Sequence, residues 1–134
     1  MPHVRHSFDD ILARLRDIQF AERFDMIVAI ANGGILPAVL LQERLGVELN
    51  ILRINWRDEN NVPHRSAPLL LRQPDFSATG KTILLADDRV KTGSTFNLAR
   101  EILSQAALIR TFAINGNADY ALFNEECFPM PWHL

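Results

Sequence analysis

Hydrophobic positions along this chain follow two rhythms. From Phe8 to Ile18 they recur at helical spacing, as Phe8, Ile11, Leu12, Leu15 and Ile18, and Ser7 with Asp10 three residues later is a capping pair at the start. Met26 to Ile30 is instead a short unbroken apolar run that stops at 31-ANGG-34, the pattern of a strand buried on both faces and ended by a tight turn. Ile35 to Leu45 predicts a second helix, with Pro37 in its first turn and Gly46 as its stop. Val47 to Trp56 predicts a second strand, and 57–73 is polar, charged and punctuated by proline, the composition of a mobile loop or short excursion. Pro74 to Lys81 carries turn residues. Thr82 to Ala86 predicts a third strand, and Phe96 to Ala107 a helix with Ala99, Ile102, Leu103 and Ala106 on one face. Arg110 to Ile114 predicts a fourth strand, and Gly116 to Leu134 reads as an aromatic, irregular tail. Strands alternating with helices predict an α/β fold, a doubly wound and mainly parallel sheet flanked by helices. In such sheets ligands collect beyond the carboxyl ends of the strands, so the two unusual loops, 31-ANGG-34 and 87-DDRVKTGST-95, are expected to face one cleft.

Composition narrows the class without naming a function. A length of 134 residues fits a single domain over 1–134, and 48% hydrophobic with 22% charged residues is ordinary for a globular chain. A net charge of -2 gives no electrostatic case for bulk binding of nucleic acid or an anionic membrane. The single Cys127 cannot form an intrachain disulfide, the amino terminus lacks an apolar signal core, and no run approaches the roughly 18 apolar residues of a membrane span. A cytoplasmic protein is expected. His3 and His6 have no carboxylate or thiol at fixed spacing and read as surface rather than metal ligands. Gly80-Lys81-Thr82 is not a nucleotide-binding P-loop: the upstream glycine is missing, and the apolar strand follows the triplet instead of preceding it.

The chemistry lies in the two loops. Thr92 to Thr95 joins a buried strand to a helix start, so its backbone N–H groups, the Thr92, Ser94 and Thr95 hydroxyls and the helix dipole all favour an anion, and Gly93 lets the backbone approach it. A monophosphate suits this cup. Asp87 and Asp88 repel phosphate, but carboxylates accept hydrogen bonds from vicinal sugar hydroxyls and help to hold Mg²⁺. The loop therefore offers a diol site beside a phosphate site, a cradle for ribose 5-phosphate. Asn32-Gly33-Gly34 adds a second nest of donors for another phosphate group or a pyrophosphate.

With these residues in view, 83-ILLADDRVKTGST-95 resembles the signature of the type I phosphoribosyltransferases, and 27-IVAIANGGILPA-38 resembles the pyrophosphate loop of that family. The resemblance extends from about Phe24 to Trp132, and Asp119-Tyr120 with the Pro131-Trp132 ending is similar to the compact microbial xanthine and hypoxanthine-guanine phosphoribosyltransferases. It implies the type I phosphoribosyltransferase fold with a short mobile hood, and a Mg²⁺-dependent transfer of the phosphoribosyl group of phosphoribosyl pyrophosphate (PRPP) to a nitrogen base, a 6-oxopurine, with release of pyrophosphate. By the same resemblance Asp87 and Asp88 hold the ribose hydroxyls and, partly through ligand and water, Mg²⁺. Lys91, Thr92, Gly93, Ser94 and Thr95 form the 5′-phosphate loop, and Asn32, Gly33 and Gly34 the pyrophosphate loop. Trp56 and Arg57 open the hood, and Tyr120, Cys127 and Phe128 mark the base region. The implied partners are PRPP and a nucleobase or nucleoside monophosphate, in a homodimer.

The chain departs from the family pattern at three places. Lys91 stands where an Asp usually precedes the Thr-Gly pair, Asn32 stands where Arg or Lys usually precedes the Gly-Gly pair, and 113-AINGNADY-120 lacks the Lys that reads a 6-oxo group. A second reading follows from them, a non-catalytic regulatory protein that binds PRPP or a nucleotide and retains the fold.

Overall fold

The computed structural model describes residues 6–55 and 67–134. The chain opens with α1 (Phe8–Asp17), where the capping pair forms as expected: the Asp10 amide donates to Ser7 Oγ at 3.1 Å and the Ser7 amide donates to Asp10 Oδ2 at 3.0 Å. Its apolar stripe buries Ile11 and Leu15. There follow β1 (Met26–Ala31), α2 (Ile35–Leu45), β2 (Glu48–Asn55), β3 (Leu69–Leu70), β4 (Thr82–Arg89), α3 (Ser94–Ile102), β5 (Leu108–Asn115) and β6 (Tyr120–Phe123).

The strands form one sheet in the order β3-β2-β1-β4-β5-β6. Every pairing is parallel except β2 with β3. β1 is buried at all six positions, which is why its sequence shows no alternation. Helices cover both faces. Ile11 and Leu15 of α1 and Ala38 and Leu41 of α2 pack with Ile27, Ala29, Leu84 and Phe112 on one face. Phe96 and Ala99 of α3 pack with Val28, Ile30, Leu52 and Leu85 on the other. The sheet is doubly wound, as the alternation of elements predicts. From β1 the chain proceeds to β2 on one side, and from β4 to β5 on the opposite side. The point where strand order reverses therefore lies between β1 and β4, the place where such folds open a crevice at the carboxyl ends of their strands.

Beyond shifts of one or two residues at the ends of β2 and β5, four elements differ from the sequence expectation. β4 continues past Ala86 through both acids to Arg89, because its ladder with β5 extends to the Arg89–Asn115 pair. α3 begins earlier and ends at Ile102 rather than Ala107. The tail is not wholly irregular, since Tyr120–Phe123 adds an edge strand in register with Phe112 to Asn115. Within the polar segment after β2, Leu69 and Leu70 return as a short antiparallel strand against Asn55 and Ile54. Both missed strands are too short for a periodicity of their own. Pairing to a neighbour already in place creates them. Among the described residues no helix is long and apolar enough to cross a membrane.

Candidate functional site

A cleft of about 520 Å³ opens at the reversal point, and both predicted loops line it. Asn32 and Gly33 come from the β1–α2 turn, Asp87 and Asp88 from the end of β4, and Lys91, Thr92, Gly93, Ser94 and Thr95 from the β4–α3 turn. Gly34 lies buried beneath this surface as the first cap of α2.

The acids lie on the last residues of a strand rather than in a free loop. Each accepts the next backbone amide: Asp88 N donates to Asp87 Oδ1 at 2.8 Å, and Arg89 N donates to Asp88 Oδ1 at 2.7 Å. These bonds hold both carboxylates at the cleft although successive strand residues diverge. Burial, and after it the negative charge of Asp88, pushes the Asp87 carboxyl up to about 8. Asp87 therefore tends to hold its proton at neutral pH, and a hydroxyl donor or cation beside it favours its ionised form. Asp88 closes the gap to the other loop. A Cβ at Gly33 would lie 2.7 Å from its carboxylate, so the diol site and the nest at 32–34 are in direct contact.

The cup is built by backbone geometry. Gly93 adopts φ 83°, ψ 0° and turns the chain into α3. The Ser94 amide donates to Thr92 Oγ1 at 3.3 Å, and the Thr92 and Ser94 hydroxyls lie 2.9 Å apart, so this short hydroxyl cluster rests over one of the first helical amides. The Thr95 and Phe96 amides belong to the first turn, whose N–H groups a helix does not satisfy internally. An anion can accept from them and receive the hydroxyl donors as well.

The residues predicted for the base region separate. Tyr120 is not at the cleft. Its hydroxyl donates to Glu22 and accepts from the Ala21 amide, its ring meets Phe20 at 4.7 Å, and Glu22 in turn holds Arg110 near the start of β5. Tyr120 thus braces the segment that precedes β1, toward the amino ends of the strands. Phe128 is 3% exposed and packs edge-on against Phe123, so it is a core residue. Cys127 is exposed and does reach the rim, where Arg89 Nη1 donates to its sulfur at 3.3 Å. Trp56 and Arg57, the predicted start of the hood, lie outside the described residues.

Several residues at the site were not singled out in the sequence. Arg89 and Val90 line the cleft. Val90 N donates to the Asn115 carbonyl, and the buried Asn115 side chain donates to the carbonyls of Glu125 and Glu126 and accepts from the Glu125 amide. Asn115 therefore ties the tail to the cleft wall. Arg53 of β2 stands behind the other loop, its Nη1 donating to Asn32 Oδ1 at 3.4 Å. Arg89 sits inside the quoted motif, where period-2 continuation of the strand would have placed it. Nothing in the linear sequence marks Arg53. Among the described residues there is no group of three or more His, Cys, Asp or Glu side chains arranged to hold a metal.

A model of the phosphoribosyl transferase domain matches residues 4–118. Two curated relatives are xanthine-guanine phosphoribosyltransferases. That of Gluconobacter oxydans is 32% identical over 92 residues, covering 67% of this chain and 54% of the relative. That of Chromohalobacter salexigens is 33% identical over 110 residues, covering 80% and 65%. The chain thus spans between about half and two-thirds of the length of these relatives. Among solved structures, a purine phosphoribosyltransferase from Pyrococcus horikoshii shares the fold with a TM-score of 0.75 at 23% identity, over 94% of this chain and 88% of that one.

Proposed function

We infer the activity from one premise: the chain belongs to the phosphoribosyl transferase domain family. On that basis we propose that it is a phosphoribosyltransferase that moves the phosphoribosyl group of PRPP to a ring nitrogen of a 6-oxopurine or related heterocycle. The C1′–O bond to pyrophosphate breaks, the C1′–N bond forms, pyrophosphate leaves with the electron pair, and the ring nitrogen gives up its proton. The observation that carries this reading is the meeting in one cleft of Asp87 and Asp88, the Thr92–Thr95 cup and the Asn32–Gly33 nest. A sugar diol with an anion at either side would use all three.

This chain's groups act by binding and orientation. Asp88 accepts from a ribose hydroxyl, and Asp87 either accepts from or donates to the second according to its proton. The cup amides fix the 5′-phosphate, and the nest receives the charge that develops on the departing pyrophosphate. Mg²⁺ fits the donor set only in part: two carboxylates, with no third His, Cys, Asp or Glu grouped with them among the described residues, would suit an ion that keeps several waters. When bound it would supply charge neutralisation of the diphosphate, with Asp87 and Asp88 as its protein contacts.

A second reading, ligand binding without turnover, is supported by Lys91 and by the neutral Asn32 at the cleft. Incubation with PRPP, Mg²⁺ and a panel of purine and pyrimidine bases distinguishes the two. Pyrophosphate release with a 6-oxopurine is expected. Tight PRPP binding with no release for any base would favour the second reading, and absence of PRPP binding would sink both. In a separate binding titration Asp87→Asn with Asp88→Asn should weaken ribose 5-phosphate by about a hundredfold, the scale of losing one hydrogen bond to a charged group and one to a neutral group, and leave the fold intact.

A further inference from the structure

The loop at 32–34 has to meet the most highly charged end of the proposed ligand with no charged side chain of its own. Backbone N–H groups and a neutral amide answer a diphosphate only through dipoles. Among the described residues, a cation from the neighbouring strand reaches this loop. Ala31 and Arg53 are partners in the last pair of the β1–β2 ladder, so Arg53 stands beside the residue that opens the loop, and its guanidinium donates to Asn32 Oδ1.

A guanidinium has donors only, so the atom of Asn32 that faces it has to be the oxygen. The sense of the amide is thereby fixed, with its two N–H donors turned away from Arg53. Asn32 lines the cleft. Among the described residues the cations that line the cleft stand elsewhere: Arg89 is bonded to Cys127, and Lys91 adjoins the Thr92–Thr95 cup. We propose that Arg53 is a positioning residue for the diphosphate end of the ligand, which orients Asn32 as a donor and places a positive charge behind it. The proposal rests on the cleft being a PRPP site, as argued under Proposed function. It locates on β2 the cation that position 32 lacks.

Calorimetric titration of three probes in the presence of Mg²⁺ tests it: inorganic pyrophosphate, PRPP and ribose 5-phosphate, each against the wild type, Arg53→Gln, Arg53→Lys and the double variant Arg53→Gln with Asn32→Arg. Arg53→Gln should weaken pyrophosphate and PRPP about tenfold and ribose 5-phosphate by less than about twofold, since the orientation of Asn32 and one nearby positive charge at one end of the ligand are lost. Arg53→Lys, which keeps the charge and loses the fork, should fall between, and moving the cation to position 32 should restore most of the pyrophosphate affinity. Pyrophosphate affinity should also depend less on salt in Arg53→Gln than in the wild type. Unchanged pyrophosphate binding in Arg53→Gln, equal weakening of ribose 5-phosphate, or no recovery in the double variant would each overturn the role of Arg53 while leaving the cleft assignment standing. A wild type that binds none of the three probes would instead overturn the cleft assignment itself.

Discussion

Two strand-to-helix turns border the cleft, each with glycine at the helix cap, and they need it for different reasons. Gly34 has an ordinary right-handed backbone, φ -83° and ψ -7°, but a Cβ there would lie 2.3 Å from the Ala86 carbonyl oxygen and 2.7 Å from that of Ile30. Its smallness lets α2 rest directly on β1 and β4. Gly93 is the reverse case. A side chain would meet nothing within 4 Å, but φ 83° lies in the left-handed region. The first turn is thus part of the packed core, while the second is an open cup held by backbone conformation and by the Thr92 and Ser94 hydroxyls. The hydroxyls of the second can rearrange at small cost, whereas the first is a fixed platform, the one on which the proposed function seats the diphosphate end.

The largest effect should come from crowding the fixed turn. In Gly34→Ala the new methyl group faces two backbone carbonyls of central strands that cannot rotate away, so a loss on the order of 3 kcal/mol or more is expected, read as a fall in the urea midpoint. A midpoint close to the wild type would show that α2 can slide and that the turn is not a platform.

Asp87, on the strand between the two turns, gives the intermediate effect. Its carboxyl is pushed up to about 8 from an ordinary value of 3.8, so the folded state binds the proton more tightly than the unfolded chain. That stabilisation is complete below about pH 4 and is lost as pH rises through about 8. The ligand-free wild type should therefore lose stability between pH 5 and pH 9 relative to Asp87→Asn, by about 1–2 kcal/mol once solvent access to a half-buried site is allowed for. Urea titrations of both proteins across that range, without Mg²⁺, measure it, and parallel pH profiles would refute it.

The smallest effect belongs to the open cup. Gly93→Ala should cost about 1 kcal/mol because only the backbone conformation opposes it, and Gly93→Asn less, since Asn tolerates the left-handed region. Thermal unfolding of the two variants checks the order. If Ala and Asn were equally disruptive, unseen crowding rather than φ would be the reason for glycine.

Much of this was legible in the sequence because the relevant signals are contiguous. The unbroken apolar run at 26–30 suits a strand covered on both faces, which it is, and the step from Ala86 into Asp87-Asp88 followed by Thr92–Thr95 marked one stretch of chain that does line the cleft. β6 escaped notice because four residues give no period, and its existence depends on the open edge of β5. The base region was the least legible part. Tyr120 and Phe128 are aromatic residues near a suggestive ending, but aromatic residues serve cores more often than ligands, and both are engaged in packing.

The sequence by itself determined the alternation of the longer strands and helices, the two glycine turns and the run of acids and hydroxyls at 87–95, since each depends on residues that are neighbours along the chain. The tertiary structure alone decided that Asp88 touches Gly33, that Arg53 stands behind Asn32, that Asn115 ties the tail to the cleft wall, and that Tyr120 lies away from the cleft. Those juxtapositions follow from strand order and ladder register, which are set by how the whole sheet buries its two apolar faces and not by any local run of residues.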